Sequence, residues 1–437
     1  MPAAGSGVAS SYELLDAQTP DSQHFEVPAP ELDPAQVLSP EQQSGSNFRV
    51  TSIRYGPGFL YVYSIEADSG VLRAHGRGML RKRIHEVETL ASLKAAGVEY
   101  YDVYALALAN AAEAPAEGGM QLLFNPVRTT TNIPKGIWSM AQNYYEMTAA
   151  GRTYLEDDYF YELIGFGRAK REWAYRMGVD PYSQNLQLQT ALNRLAWLSL
   201  AGGMTVRLPL IAVPGGASIA LTVTNASDDM KRELRDETPE NIRIRSRKIL
   251  EVDFGVDESL AEEFVYHSWY SPSQLMTILE ALEAMDQAEN RGKFIALAVL
   301  ADTPVEAHSF TRLALLLLAW NQQLGSIEEF LTIEGLALAK NEDDDIALPL
   351  NIDRGFWTEG VAGLVEAIDA ELAQRNGHRR KFMLISGTLS AMARRNLEAR
   401  DWIIMEDLED SWLKDFDDQE FVPGDGDENR ILPEIGS

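Results

Sequence analysis

The residues best suited to chemistry lie near the C-terminus. Asn351 and Asp353 close one apolar run (IALPLNID), and Ser386-Gly387-Thr388 follows the next (KFMLISGT). If the two runs are strands of one open α/β sheet, these residues stand beyond the strands' carboxyl ends, where such sheets bind ligands. A carboxylate beside a Ser-Gly-Thr turn that opens a helix can hold a phosphate or a magnesium ion, using backbone N–H groups and hard oxygen ligands. The same residues have an architectural use, with Ser386 and Thr388 capping a helix and Asp353 closing a loop. Asn351, Asp353, Ser386 and Thr388 are therefore the candidate ligand-binding residues, and no catalytic residue is assigned.

The Asn351-x-Asp353 spacing resembles the Asp-x-Asp of haloacid-dehalogenase-type phosphatases. Asn351 stands where that pattern has its nucleophilic Asp, and no lysine is placed to complete the site.

Other patterns are incomplete. There is no Gly-x-Ser-x-Gly nucleophile elbow. The six histidines (His24, His75, His85, His267, His308, His378) form neither a His-x-x-x-His nor a His-Glu-x-x-His pair. His85 and Glu88 share a helix face and offer two ligands at most. Asp425-Gly426-Asp427-Glu428-Asn429 alternates oxygen donors like the start of a calcium loop, but Arg430 replaces the loop glycine and Gly436 the closing Glu. The acidic run Asn341–Asp345 reads as a solvated turn. Gly165-Phe166-Gly167 lacks the third glycine and the preceding strand of a phosphate loop. No metal site and no cofactor is expected. Arg73, Arg77, Arg81, Lys82 and Arg83 form the one dense basic stretch, for which internal ion pairing is the first expectation and an acidic partner the second. The tyrosines between Tyr144 and Tyr161 suit packing at a domain junction, or a sugar platform.

The elements that must position these residues read as follows. Residues 1–46 are rich in Pro, Ser, Gln and acids without periodicity, and predict a flexible, disordered acidic arm. Residues 47–125 hold β-type runs around Gly56-Pro57-Gly58 and Asp68-Ser69-Gly70, predicting a β-meander. Helical spacing follows at Leu80, Ile84, Val87, Leu90 and Leu93. Residues 126–330 are mainly helical, with a hairpin near 205–224 around Pro214-Gly215-Gly216. Ser271-Pro272 opens a helix, and Thr303-Pro304 breaks another. From 331 to 407 the pattern is ββαβαβ, with strands at 331–340, 346–353, 381–386 and 402–405. An acidic tail occupies 408–437. The fold class is α+β and helix-rich.

Bulk properties bound the function. A chain of 437 residues carries 66 Asp+Glu against 38 Lys+Arg, a formal charge of −28. Such a surface repels phosphate backbones and anionic membranes, so nucleic acid is not an expected partner. A basic protein or a neutral ligand is. No cysteine is present, which removes disulfides and thiolate chemistry. The longest apolar run, Leu313–Trp320, is far short of the roughly 20 residues that span a bilayer. The N-terminus lacks the basic and apolar regions of a signal peptide. Those features fit a soluble protein, either cytoplasmic or processed after export.

Three segments resemble uncharacterised bacterial proteins: NFRVTSIRYGPGFLYVYSIEADSGVLRAHGRGMLRKRIHEV, AKREWAYRMGVDPYSQNLQLQTALNRLAWLSLAGGM and LISGTLSAMARRNLEARDWIIMED. The resemblance spans most of Asn47–Asp407 and implies an exported protein of the periplasm or envelope. It brings no activity with it. The expectation is thus a non-catalytic binding or structural protein of the bacterial envelope. The alternative is an enzyme acting on a phosphate-bearing or carbohydrate substrate at the C-terminal α/β unit.

Overall fold

The computed structural model describes residues 25–68, 70–95, 165–200, 228–375 and 377–413. The hairpin expected near 205–224, the Tyr144–Tyr161 patch and the calcium-like stretch Asp425–Asn429 lie outside them.

The described residues begin with a short strand β1 (Glu31–Leu32) and two single-turn helices, α1 (Pro34–Val37) and α2 (Pro40–Gln43). Each helix has a proline in its first turn, where the missing N–H costs nothing, and Asp33 caps α1 by accepting from the Ala35 amide at 2.9 Å. Leu38 between them is buried. This part of the expected flexible arm is therefore fastened to the body. The Glu26 amide donates to the Trp357 carbonyl at 2.9 Å, and the Glu26 carboxylate accepts from the Trp357 amide and the Ser390 hydroxyl at 2.7 and 2.5 Å.

Strands β2 (Phe48–Tyr55), β3 (Tyr61–Ala67) and β4 (Gly70–His75) form the expected meander, with β1 added at one edge in the order β1-β2-β3-β4. Alternation, shifted by one residue at an irregularity between Val50 and Ser52, turns Phe48, Val50, Ile53, Tyr61, Tyr63, Ile65 and Ala74 inward, onto Leu80, Ile84 and Val87 of helix α3 (Arg77–Ala95). Leu90 and Leu93 of the same helix pack instead on the helical middle.

That middle comprises α4 (Phe166–Met177), α5 (Leu186–Leu200), α6 (Asp228–Asp236), α7 (Pro239–Val252), α8 (Glu258–Val265), α9 (Pro272–Glu283), α10 (Gly292–Ala298) and α11 (Pro304–Leu324). The expected boundaries have visible causes. Gly178 ends α4 in the left-handed region at φ 65°. Ser271 and Gln274 form a capping box on α9, and Thr303 caps α11 ahead of Pro304. The apolar run Leu313–Trp320 belongs to α11, which is buried on nearly all sides. Among the described residues no helix is long and apolar enough to cross a membrane.

The C-terminal unit contains β5 (Ile327–Ile333), β6 (Leu336–Asn341), β7 (Ile346–Leu350), β8 (Arg354–Gly355), α12 (Glu359–Arg375), β9 (Lys381–Ile385), β10 (Thr388–Leu389), α13 (Ala391–Glu398) and β11 (Trp402–Met405). The stretch 331–340, read as one strand, is the larger part of a hairpin. Glu334 and Gly335 both take positive φ, 50° and 74°, and turn the chain between β5 and β6. The apolar residues on both sides disguised the turn as a continuous strand. The main sheet runs β11-β9-β7-β6-β5, with β7, β9 and β11 parallel. Its alternating residues build two cores. Phe330, Ala339, Ala347, Phe382 and Leu384 face α10 and α11, while Leu338, Ile346, Leu348, Met383, Ile385 and Trp402 face α12 and α13. The result is a sheet covered by helices on both faces.

Candidate functional site

The fold brings Asp353 and Ser386 together, because β7 and β9 are parallel neighbours ending at the same edge. What it does with them is bind backbone to backbone. The Ser386 hydroxyl donates to the Ile352 carbonyl and accepts from the Ile352 amide, each at 2.8 Å. The Thr388 amide donates to the Asp353 carbonyl at 3.1 Å, in the parallel pairing that joins β8 to β10. Gly387 is packed so closely that a Cβ there would lie 2.2 Å from the Asp353 carbonyl oxygen. The helix that follows is capped by Ser390, which accepts from the Ala393 amide at 3.0 Å. Asn351 points elsewhere, donating to the Ser309 hydroxyl on α11 at 3.0 Å.

Asp353 reaches across to the N-terminal sheet. One carboxylate oxygen accepts from the Tyr61 amide at 2.7 Å and the other from the Arg77 amide at 3.0 Å, while the Asp353 amide donates to the Phe59 carbonyl at 3.0 Å. It therefore sits at the N-terminus of α3, where the exposed amides and the helix dipole favour a negative charge. Burial pushes its carboxyl up to about 6, against the pull of the two amides and the Arg77 guanidinium.

A second arrangement, missed in the sequence, lies beside it. The chain after β11 does not leave as a tail. Leu408 and Leu413 are buried, and the amides of Asp407, Leu408 and Glu409 donate to the carbonyls of Gly387, Ile385 and Ser386. Buried Glu409 is paired with Arg312 of α11 at 2.7 Å and Arg81 of α3 at 2.5 Å. Asp410 takes Arg77 and Arg81, each at 2.6 Å. Gly78 makes room, since a Cβ there would lie 2.7 Å from the Glu409 carboxylate. Burial opposes the charge on Glu409, but Arg312 and Arg81 outweigh it and hold its carboxyl below the usual range.

The same helix carries a third set. Glu86 is buried under Arg83 at 2.6 Å, the Ser183 hydroxyl at 2.5 Å and Asn185 at 2.9 Å. Lys82 meets Asp180 at 2.8 Å, and Asp180 also accepts from Ser273 at 2.7 Å. Four of the five residues in the basic stretch thus form internal ion pairs, and Arg73 lies on the exposed face of β4. The only signals for these sites were Leu408 and Leu413 within the acidic tail and the Asp-x-x-Ser-x-Asn turn at 180–185. His85 and Glu88 do not converge: His85 Nε2 lies 2.9 Å from the Gly178 carbonyl, and Glu88 accepts from Asn47. Among the described residues no group of three or more ligating side chains could hold a metal ion.

His308 of α11 is half-buried near these cations, and its Nε2 is closed off from solvent with no hydrogen-bond partner among the described residues. Burial, with Arg312 and Lys82, drives its imidazole down to about 3 from the ordinary 6.5. Between those values the unfolded chain binds a proton that the folded chain refuses, so His308 removes stability as the pH falls. Asp353 has the opposite sign. Between the ordinary 3.8 and about 6 the folded chain holds the proton, and this contribution is lost as the pH rises. Replacing His308 by glutamine isolates the first effect. Going from pH 7 to pH 5, the wild type is expected to lose about 2 kcal/mol more than His308→Gln, read from urea unfolding at each pH. Equal losses would mean that the imidazole protonates freely in the folded protein.

Comparison of the chain with protein-family models, with curated proteins and with solved structures returned no match.

Proposed function

We propose that this chain is a non-catalytic binding or structural protein of the bacterial envelope. The observation that carries the first half is the state of the strand-tip residues. Asp353, Ser386 and the Thr388 amide are committed to other parts of the backbone, and Gly387 lies against the Asp353 carbonyl where a phosphate would need room. The topology agrees. Ligand crevices in open α/β sheets form where the strand order reverses, and the order β11-β9-β7-β6-β5 follows the chain from edge to edge without reversal. The envelope half rests on the resemblance of three segments to uncharacterised bacterial proteins, which implies export. Recovery of the native chain from the cytoplasmic fraction of its host would remove it.

One observation favours the enzyme reading. A carboxyl pushed up to about 6 is the kind of perturbation found at reacting groups. Here burial at a helix N-terminus accounts for it. Thermal unfolding with inorganic phosphate, magnesium chloride or a neutral oligosaccharide separates the two. The expected result is no rise in Tm that Ser386→Ala or Thr388→Val removes. A phosphate- or magnesium-dependent rise lost in both variants would replace the binding or structural reading with the enzymic one.

A further inference from the structure

We infer that the corner between α8 and α9 is a docking site for a basic segment of a partner protein, which seats an arginine or lysine side chain against Trp269 and beside Glu262 and Glu263. This deepens the binding half of the proposal above and rests on it.

Three independent features meet at this corner. The first is shape. A shallow depression of about 440 Å³, mostly open to solvent, is lined by Glu262, Glu263, Tyr266, His267, Ser268 and Trp269. The second is exposed aromatic surface. Tyr266 and Trp269 leave 50% and 39% of their area open, in a loop whose next residue, Tyr270, is buried and anchored to the Ala298 carbonyl at 2.8 Å. The rings are thus held outward by a fixed base. The third is electrostatic. Helix α8 with its cap carries Asp257, Glu258, Glu262 and Glu263 and no basic residue. Asp257 and Glu258 suit the positive end of the helix. Glu262 and Glu263 stand in its last turn, where the dipole is already negative, and no basic residue there offsets them. Neither has an ion pair or hydrogen-bonding side chain among the described residues. Two carboxylates placed against the dipole lower local stability and raise the attraction for a cation.

The nature of the cation follows from the geometry. Glu262 and Glu263 are sequence neighbours, roughly 100° apart around the helix, so they do not converge on a point ion. A hard metal ion also gains nothing from an indole face, whereas a guanidinium or an ammonium on its aliphatic stem gains both stacking and charge. The protein already uses this mode next door. The Arg243 guanidinium lies 5.7 Å from the centre of the Tyr266 ring and pairs with Glu240, to which the Tyr266 hydroxyl donates at 2.7 Å. No described residue places a cation over Trp269. The chain's charge of −28 would draw a basic partner from a distance.

The test titrates the full chain with acetyl-Gly-Arg-Gly-Arg-Gly-Arg-amide by calorimetry at low and moderate salt. Trp269→Ala and the double variant Glu262→Gln/Glu263→Gln are each expected to weaken binding about tenfold. The charge-matched control Glu359→Gln/Glu366→Gln on α12 is expected to leave it unchanged. The double variant alters only exposed side chains, so it decides the matter even if Trp269→Ala unfolds. Equal losses in control and corner variants would assign the binding to diffuse acidity and overturn the site. So would absence of binding. Chitotriose binding that depends on Trp269 but not on the two glutamates would make the depression a carbohydrate platform instead. None of these failures touches the broader reading, which falls only to the Ser386- and Thr388-dependent phosphate or magnesium response.

Discussion

Replacing Glu409 by glutamine is expected to lower the unfolding free energy by about 3–5 kcal/mol, the cost of leaving a buried partner charge uncompensated. Glu409 is buried, and so is Arg312, which pairs with it. Glutamine fills nearly the same volume, so packing is spared and the charge alone is removed. The double variant Glu409→Leu/Arg312→Met is expected to recover most of the loss, since removing both charges also removes their desolvation, while Arg81 keeps Asp410. Urea unfolding of the single and double variants measures both quantities. A loss below 1 kcal/mol for Glu409→Gln would mean that water reaches this pair and that the chain after β11 is not fastened as described.

The second large effect concerns the joint between the two sheets. Asp353→Ala is expected to cost about 3 kcal/mol, because it leaves the amides of Tyr61 and Arg77 buried without an acceptor. Asp353→Asn is expected to recover about half, since its single carbonyl oxygen replaces one of the two acceptors. Hydrogen exchange should show where the loss falls, with faster exchange in β3 and the first turn of α3 and little change in β7 and β9. If exchange instead rose throughout the C-terminal sheet, Asp353 would be a local brace of its own loop and not a link between the two units.

Those residues also show what could be read from the chain and what could not. The β-type residues Val50, Ile53, Tyr61 and Tyr63, punctuated by Gly56-Pro57-Gly58, identified the N-terminal sheet, because strand formers and turn formers act locally. Proline one place after Ser271 marked a helix start and Thr303-Pro304, read as a break, is the start of α11, because the cap chemistry is local. The proximity of Asp353 and Ser386 was legible for a similar reason: consecutive parallel strands end at the same edge. Their role was not. The groups that claim the Asp353 carboxylate come from Tyr61 and Arg77, 292 and 276 positions away, and no pattern within a segment records such a pairing. The buried carboxylates of Glu86, Asp180 and Glu409 were hidden by the opposite problem. In a chain this rich in acids, a carboxylate inside a charged stretch looks like any solvated one, and only the arginines and lysine brought to it by folding distinguish it. The Glu334-Gly335 turn escaped because its flanks are apolar on both sides and it lacks the Asn-Gly or Asp-Gly signature.

The long reach of Asp353 has a consequence for the birth of the molecule. Translation at about 5–20 residues per second places Asp353 on the order of 15–55 s behind Arg77, its hydrogen-bond donor. During that interval the amides at the start of α3 and the cations along it have no carboxylates from the C-terminal unit to meet. The N-terminal sheet and α3, made before the C-terminal unit, are therefore completed only after it, and a nascent chain interrupted before residue 353 should be easily digested by protease even where its own hydrophobic core is complete.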